Sequence, residues 1–188
     1  SKIRLFDVSE CEYGYRESIF KAALKNHYLV TAVEFRLDKL PQFKLEYGNL
    51  SEAVASVEAL TVEEVRKAVI AIRKTKLPEP SEFGNAGSFF KNPLIAEYQF
   101  NQLREQYPTM PHYVAGNELV KIPAAWLIEQ CGWKGKTLGG AAVYEKQPLV
   151  LINKDHATPE HIRLLAAAIC ESVADKFGIT IEPEVNYI

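Results

Sequence analysis

Apolar and polar positions alternate in two early segments of the chain and then take up a helical period. Residues 2–8 and 27–38 alternate and are rich in β-branched and aromatic residues, which predicts two strands. A short helix is expected from Glu17, between those two strands. The pattern over 51–60 predicts a further helix.

A second helix of this region is predicted from Thr61, and a clear boundary follows it. Thr61 as the N-cap and Glu64 three residues later fit a capping box. The apolar residues behind it fall on one helical face, namely Val62, Val65, Ala68, Val69 and Ile72. The proline-containing run at 77–81 then stops the helix and predicts a domain boundary.

The second part of the chain predicts a mixture of strands and helices. The expected elements are a strand over 83–90, a helix over 95–107, an irregular hairpin or loop over 110–120, and an apolar strand over 147–153. Pro123 suits the first position of a short helix that Gly132 ends. Thr158 and Pro159 are N-cap and first residue of a long helix that Gly178 closes, and residues 179–188 are extended. This order predicts an α+β fold.

Composition excludes several classes of protein. Of the 188 residues, 47% are apolar and 24% are charged, which is typical of a globular chain with a sizeable core. The 22 basic and 24 acidic residues give 22 − 24 = −2, so the basic surplus of a nucleic-acid carrier is absent. No apolar run approaches the ~18 residues of a membrane-spanning helix. Three scattered cysteines without a CxxC pair predict a reducing, cytoplasmic setting.

Sequence motifs for metals and for nucleotide phosphates are missing. The four histidines show no ligand spacing, so no metal site is expected. No G-x-G-x-x-G follows a predicted strand, and there is no Walker motif. The chain itself therefore carries no recognisable dinucleotide or triphosphate cradle.

The stretch Gly-Asn-Ala-Gly-Ser-Phe-Phe-Lys-Asn-Pro at 84–93 is the most informative one for chemistry. Its two glycines let a ligand approach the backbone closely, and Ser88, Lys91 and Asn92 supply polar groups. The absence of a G-x-S-x-G elbow argues against covalent catalysis by Ser88. The residues alone favour a turn serine over one that transfers a proton. Likewise, Lys76 and Glu184 alone are typical of solvated charges. Arg16 alone is typical of a helix start with a local ion pair.

Taken in order, several segments resemble the UDP-N-acetylenolpyruvoylglucosamine reductase family. They are residues 14–21, 45–50, 76–78, 84–93, 125–132, 139–143 and 177–185. The stretch 111–121 resembles a tyrosine-bearing loop of the first of the two family types. Ala125 and Tyr144 depart from the family pattern, which often has Gly and His there.

The resemblance implies a flavoenzyme in which NADPH reduces FAD and the flavin passes hydride to UDP-N-acetylglucosamine enolpyruvate. It implies Ser88 as proton donor, and Arg16 and Glu184 as the groups that stabilise charge on the substrate carboxylate. A protonated or hydrogen-bonded glutamate would donate there instead of repelling. The implied substrate-binding residues are Tyr15, Tyr47, Lys76, Asn92, Tyr113 and Gln147.

The resemblance also implies a division of the chain. Residues 1–77 would be the C-terminal part of the second FAD-binding domain, 78–178 a smaller α/β substrate-binding domain, and 179–188 a strand returning to the first FAD-binding domain. Most FAD contacts would then lie outside this chain, and the chain alone is expected to be an inactive, monomeric, cytoplasmic fragment. The alternatives are a nucleotide-sugar binding module without redox chemistry, and a purely structural α+β domain.

Overall fold

The computed structural model describes residues 2–46 and 49–187. The chain divides into two compact units, Ser1–Phe43 and Lys44–Ile188.

The first unit is built from short turns around an aromatic cluster. Short 3-10 turns form at Val8–Cys11 and Ile19–Lys21. The Phe6 ring meets the rings of Phe20 and Tyr28 edge-on, each at 5.0 Å between centroids. This cluster ties the first residues to the segment that follows the second turn.

Both strands predicted for the first unit are wrong, and the predicted helix from Glu17 is reduced to a 3-10 turn. Neither 2–8 nor 27–38 forms a hydrogen-bonded ladder. β-forming residues favour a strand because they fit a half-buried pleated surface. Here Leu29 and Leu37 are 87% and 81% exposed, so the described part of the unit offers no such surface.

Two helices open the second unit. Helix α1, Leu50–Ala53, is much shorter than the predicted 51–60. Helix α2, Val62–Lys76, begins where the sequence predicts, and the Thr61 hydroxyl accepts from the Glu64 backbone N–H at 3.2 Å. The Glu64 carboxylate pairs with the Lys67 ammonium at 2.9 Å. Of the two reciprocal hydrogen bonds of a capping box, the one accepted by the Thr61 hydroxyl is therefore the one that forms.

Two antiparallel sheets follow in the same unit. Their strands are β1 (Gly84–Ser88), β2 (Leu94–Ala96), β3 (Tyr113–Gly116), β4 (Leu119–Lys121), β5 (Thr137–Leu138), β6 (Ala141–Val143) and β7 (Val150–Asn153). The orders are β1-β7-β6-β5 and β2-β4-β3. The predicted strands near 83–90 and 147–153 and the predicted hairpin within 110–120 are confirmed. Strands β2, β5 and β6 are not among the predicted elements, and the first two residues of the helix predicted over 95–107 belong to β2.

Three helices complete the unit. Helix α3 spans Glu97–Gln106, within the predicted 95–107. Helix α4 spans Ala124–Gln130, with Pro123 as its N-cap and not its first residue. Helix α5 spans Pro159–Phe177 between the predicted Thr158 cap and Gly178, whose φ is 63°. The core between these helices and the sheets includes Leu127, Ile128, Leu165 and Ile169, all fully buried. The α+β fold class is confirmed.

The turn between β5 and β6 is held tightly against the start of α5. A Cβ on Gly140 would collide with the Asp155 carbonyl oxygen and with the backbone of Ala157. The His161 Nδ1 accepts from the backbone N–H groups of Gly140 and Thr158, at 3.2 and 3.3 Å. The Gly-Gly pair of the family pattern therefore has a packing role here.

Candidate functional site

A bulge in β1 shapes the backbone immediately before Ser88. Asn85 pairs with Ile152 and Ser88 with Val150, so the register shifts between them. The Asn85 amide donates to the Phe83 carbonyl at 2.9 Å, and its oxygen accepts from the Gly87 N–H at 3.0 Å. Gly87 takes φ +72°, which side-chain-bearing residues rarely adopt. The bulge leaves Ser88 exposed at the end of the strand.

The C-terminal segment runs antiparallel beside the residues that follow Ser88. Glu184 N–H donates to the Phe89 carbonyl at 2.7 Å, and Lys91 N–H donates to the Glu182 carbonyl at 2.9 Å. Phe90 and Pro183 form the bridge between these two bonds. Residues 88 and 184 are therefore brought onto neighbouring backbone segments, although 96 positions separate them in the chain.

The pair of segments is buried in the core on one side and accessible to solvent on the other. Phe89 and Phe90 are 4% and 2% exposed and belong to the main core. Glu184 is half-buried, and the Lys91 ammonium lies 3.7 Å from the Glu182 carboxylate. At that distance, and with Glu182 exposed, the pair adds little stability. Its effect is to keep a cation beside the Ser88 segment.

Asn92 holds the start of α4. Its side-chain oxygen accepts from the Ala124 backbone N–H at 2.9 Å, which satisfies one of the N-terminal donors of the helix. The residue therefore has a structural contact in addition to the substrate contact that the resemblance implies.

Tyr113 and Gln147 lie on two further parts of the second unit. Tyr113 is exposed on β3, and the Lys121 ammonium lies 5.2 Å from its ring centroid. Gln147 is half-buried in the turn before β7, and its side-chain oxygen accepts from the Leu149 N–H at 3.5 Å. Lys76 is the exposed last residue of α2.

The remaining predicted site residues precede this unit or lie outside the described part. Tyr15 and Arg16 belong to the first unit and are exposed there. Arg16 has φ 60°, and its carbonyl accepts from the Lys21 ammonium at 2.9 Å. Tyr47 lies outside the described residues. The second unit thus brings the segments of Ser88, Asn92 and Glu184 together, while the predicted partners Tyr15 and Arg16 are placed only within their own unit.

A cavity of about 310 Å³ lies between the end of α2 and the β1 bulge. It is lined by Ile70, Arg73, Lys74, Leu77, Pro78, Glu79, Pro80, Asn85 and Gly87. In this region Lys76 was predicted as a site residue, and Arg73 and Lys74 were not. Cations in the last turn of a helix complement its dipole, so they do not stand out in the sequence as ligand contacts.

Residues 2–46 and 49–187 contain neither a cluster of metal ligands nor a membrane-spanning helix. Within these residues no three His, Cys, Asp or Glu side chains are arranged to hold a metal ion. In the same residues no helix combines the length and the apolar character needed to span a membrane.

These features define the second unit by class: an antiparallel α+β domain with a polar cluster on a glycine-containing strand and its neighbouring C-terminal segment. Residues 79–188 match the family described as UDP-N-acetylenolpyruvoylglucosamine reductase, C-terminal domain. The chain belongs to this family.

Relatives in three bacteria carry the name UDP-N-acetylenolpyruvoylglucosamine reductase. The protein of Bacteroides fragilis is 48% identical over 187 residues, covering 100% of this chain and 56% of the relative. The protein of Amoebophilus asiaticus is 45% identical over 188 residues, covering 99% and 56%. That of Pasteurella multocida is 46% identical over 179 residues, covering 95% and 52%. The chain thus spans about half the length of the relatives that it matches.

Proposed function

We propose that this chain is the substrate-contacting portion of an NADPH-dependent, FAD-containing reductase that converts UDP-N-acetylglucosamine enolpyruvate to UDP-N-acetylmuramate. The reaction belongs to cytoplasmic peptidoglycan precursor synthesis. Family membership and the names of the relatives support the reductase. The single structural observation that carries the proposal is the hydrogen bond of 2.7 Å from Glu184 N–H to the Phe89 carbonyl, next to Ser88.

The substrate carries a double bond conjugated to a carboxylate. The chemistry that a bound flavin would supply is the transfer of a hydride, taken from NADPH, to the terminal carbon of that double bond. Negative charge then develops toward the carboxylate, and the adjacent carbon needs a proton. An enzyme accelerates such a step by placing donors where the charge develops and an acid where the proton is needed.

Ser88 is the proposed proton donor. Ser88 is an exposed residue at the end of β1. A serine is a weak acid, so the alkoxide left behind needs a nearby positive charge or hydrogen-bond donor. Lys91, three residues further on, is 26% exposed and supplies a cation in the same segment. Arg16 and Glu184 are the proposed partners of the substrate carboxylate.

The backbone beside Ser88 is open to a bound group at one position. An ideal Cβ on Gly87 would meet no atom within 4 Å, so open space lies against the backbone beside Ser88. Glycine at such a point allows close approach of a ligand. Gly87 would leave room for the bound cofactor there, and the other cofactor contacts would come from parts of the reductase that this chain does not span.

Turnover by the full-length gene product tests the proposal. With NADPH and UDP-N-acetylglucosamine enolpyruvate, we expect NADPH oxidation that depends on the substrate, and a product two hydrogens heavier by mass spectrometry. Tight binding of the nucleotide sugar without NADPH oxidation would instead favour the non-catalytic binding module. Absence of both would favour a structural domain.

A further inference from the structure

The segment that carries Tyr113 lies outside the core, between two buried residues. Met110 is 3% exposed and Val120, in the middle of β4, is 4% exposed. Residues 111–119 between them are all accessible to solvent, and all four residues of β3 are exposed. Within the described part of the chain, β3 is also the outer strand of the sheet β2-β4-β3. A segment with so few buried contacts has low local stability unless a further contact fixes it.

His112 supplies such a contact at the start of β3. Its ring packs on the ring of Phe100 in α3, with 4.4 Å between the centroids and 37° between the planes. Phe100 is 3% exposed and belongs to the main core, so the His112 ring rests on a fixed surface. The His112 Nδ1–H donates to the Met110 carbonyl at 3.3 Å, since a carbonyl oxygen can only accept. Aromatic rings at this separation attract each other in a preferred geometry.

Tyr113 follows His112 directly, so the position of the His112 backbone restricts where Tyr113 lies. On its other side the ladder is irregular. Tyr113 pairs with Lys121, but the register then shifts between Val114 and Gly116. The contact of His112 with the core is therefore the firmer of the two restraints on the Tyr113 side chain.

We infer that His112 is a positioning residue, which holds Tyr113 in place for the nucleotide sugar through its ring contact with Phe100. The inference rests on the proposed function, in which Tyr113 contacts that substrate. His112 needs no contact of its own with the substrate, so its loss should weaken binding through Tyr113 and leave the chemical step unaltered. A loss of this kind raises KM and leaves kcat unchanged.

Calorimetric titration of the oxidised full-length gene product with UDP-N-acetylglucosamine enolpyruvate, without NADPH, measures binding apart from turnover. His112→Ala is expected to raise the Kd about fivefold, as the loss of one aromatic pair does. His112→Phe keeps a ring against Phe100, so its Kd is expected to stay within about twofold of the wild-type value. Steady-state assays should show the same rise in KM for His112→Ala, with kcat within about twofold of wild type.

A double-mutant cycle with Tyr113→Ala separates positioning from a general structural effect. If His112 acts through Tyr113, adding His112→Ala to Tyr113→Ala raises the Kd no further. The matched control is His27→Ala, because the exposed His27 also donates from Nδ1 to the carbonyl two residues before it, that of Lys25, at 2.9 Å. This control should bind like the wild type. Wild-type affinity in His112→Ala, an equal loss in His112→Phe, or additive losses in the double variant would each overturn the inference.

The outcome for His112 is separable from the outcome for the proposed reaction. Wild-type protein that binds the substrate, loses affinity on His112→Ala and never oxidises NADPH refutes the reaction and keeps the positioning role. Wild-type protein that turns over while His112→Ala retains the wild-type Kd and KM refutes the positioning role and keeps the reaction.

Discussion

Gly87 is the residue that sets the backbone before Ser88. Its φ of +72° lies in the left-handed region, and its backbone N–H is bonded to the Asn85 side chain. An alanine would find room for its Cβ, but it would have to adopt a strained conformation. The free-energy cost of the substitution would therefore come from backbone strain and not from a steric collision.

Gly87→Ala is expected to lower the free energy of unfolding by about 1–2 kcal/mol, the cost of holding an L-residue in the left-handed region. Urea unfolding of the full-length protein measures it. Gly84→Ala is the control, because the Cβ at Gly84 would make only an ordinary 3.7 Å contact with Asn153. Equal costs for the two variants would contradict the account of the bulge.

Some residues of the candidate site could be predicted from the sequence, and others could not. Ser88 and its polar neighbours stood out because two glycines precede a serine in a short strand. The approach of Glu184 depends on two hydrogen bonds between segments far apart in the chain, which no local pattern encodes. Arg73 and Lys74 were missed because helix-end cations are common for electrostatic reasons unrelated to ligands.

The elements that local signals define were the ones predicted well. Helix α5 has an N-cap, a proline at its first position and a closing glycine, and both of its ends were found. Strands β5 and β6 contain two and three residues, too few for a period to be read. Residues 2–8 and 27–38 carry a strand pattern, but a strand also needs a hydrogen-bonded neighbour, which the pattern does not supply.

Thr61→Ala tests the cap of α2. Because the Thr61 hydroxyl accepts from Glu64 N–H, its loss is expected to lower the free energy of unfolding by about 1 kcal/mol. Chemical denaturation of wild type and variant measures the change. Thr75→Ala serves as the control, since that hydroxyl only donates to the Ile72 carbonyl within the helix. A larger effect at residue 75 than at residue 61 would argue against the cap.

Two cysteine thiols, that of Cys131 just after α4 and that of Cys170 in α5, predict that the stability of the protein changes with pH in the alkaline range. Burial raises the pKa of both Cys131 and Cys170. The two thiols donate to the carbonyls of Ser172 and Ile181, at 3.4 and 3.3 Å. Each thiol therefore has a higher pKa in the folded state than in the unfolded state. The contribution of the thiols to the free energy of unfolding is complete at pH values below the unfolded-state pKa, and it is lost as the pH rises through the folded-state pKa.

Between roughly pH 8.5 and 9.5, where free thiols ionise, the free energy of unfolding should therefore fall as pH increases. Denaturant titrations at several pH values measure it. The double variant Cys131→Ala with Cys170→Ala should show a flatter profile over this range. A wild-type profile that is flat, or that rises with pH, would contradict this account of the two half-buried thiols.

At the scale of the whole molecule, the chain contains two units and spans about half the length of its relatives. The proposal gives roles in the reaction to Arg16, Ser88 and Glu184, and it assigns most cofactor contacts to parts of the reductase that this chain does not span. Turnover should consequently require more of the reductase than these 188 residues.

The isolated 188-residue chain is expected to show no substrate-dependent NADPH oxidation, even with FAD added, whereas the full-length gene product turns over. Steady-state absorbance at the NADPH band compares the two. Turnover by the isolated chain at a rate near that of the full-length protein would show that these residues suffice, against the proposed division of the site.

The most direct test of the central claim separates the two half-reactions in full-length Ser88→Ala by stopped-flow flavin absorbance, with the exposed Ser81→Ala as control. If Ser88 donates the proton, flavin reduction by NADPH stays near the wild-type rate, while reoxidation by the enolpyruvyl substrate slows by at least about 100-fold, as expected for loss of a general acid. Reoxidation at the wild-type rate in Ser88→Ala would contradict the claim.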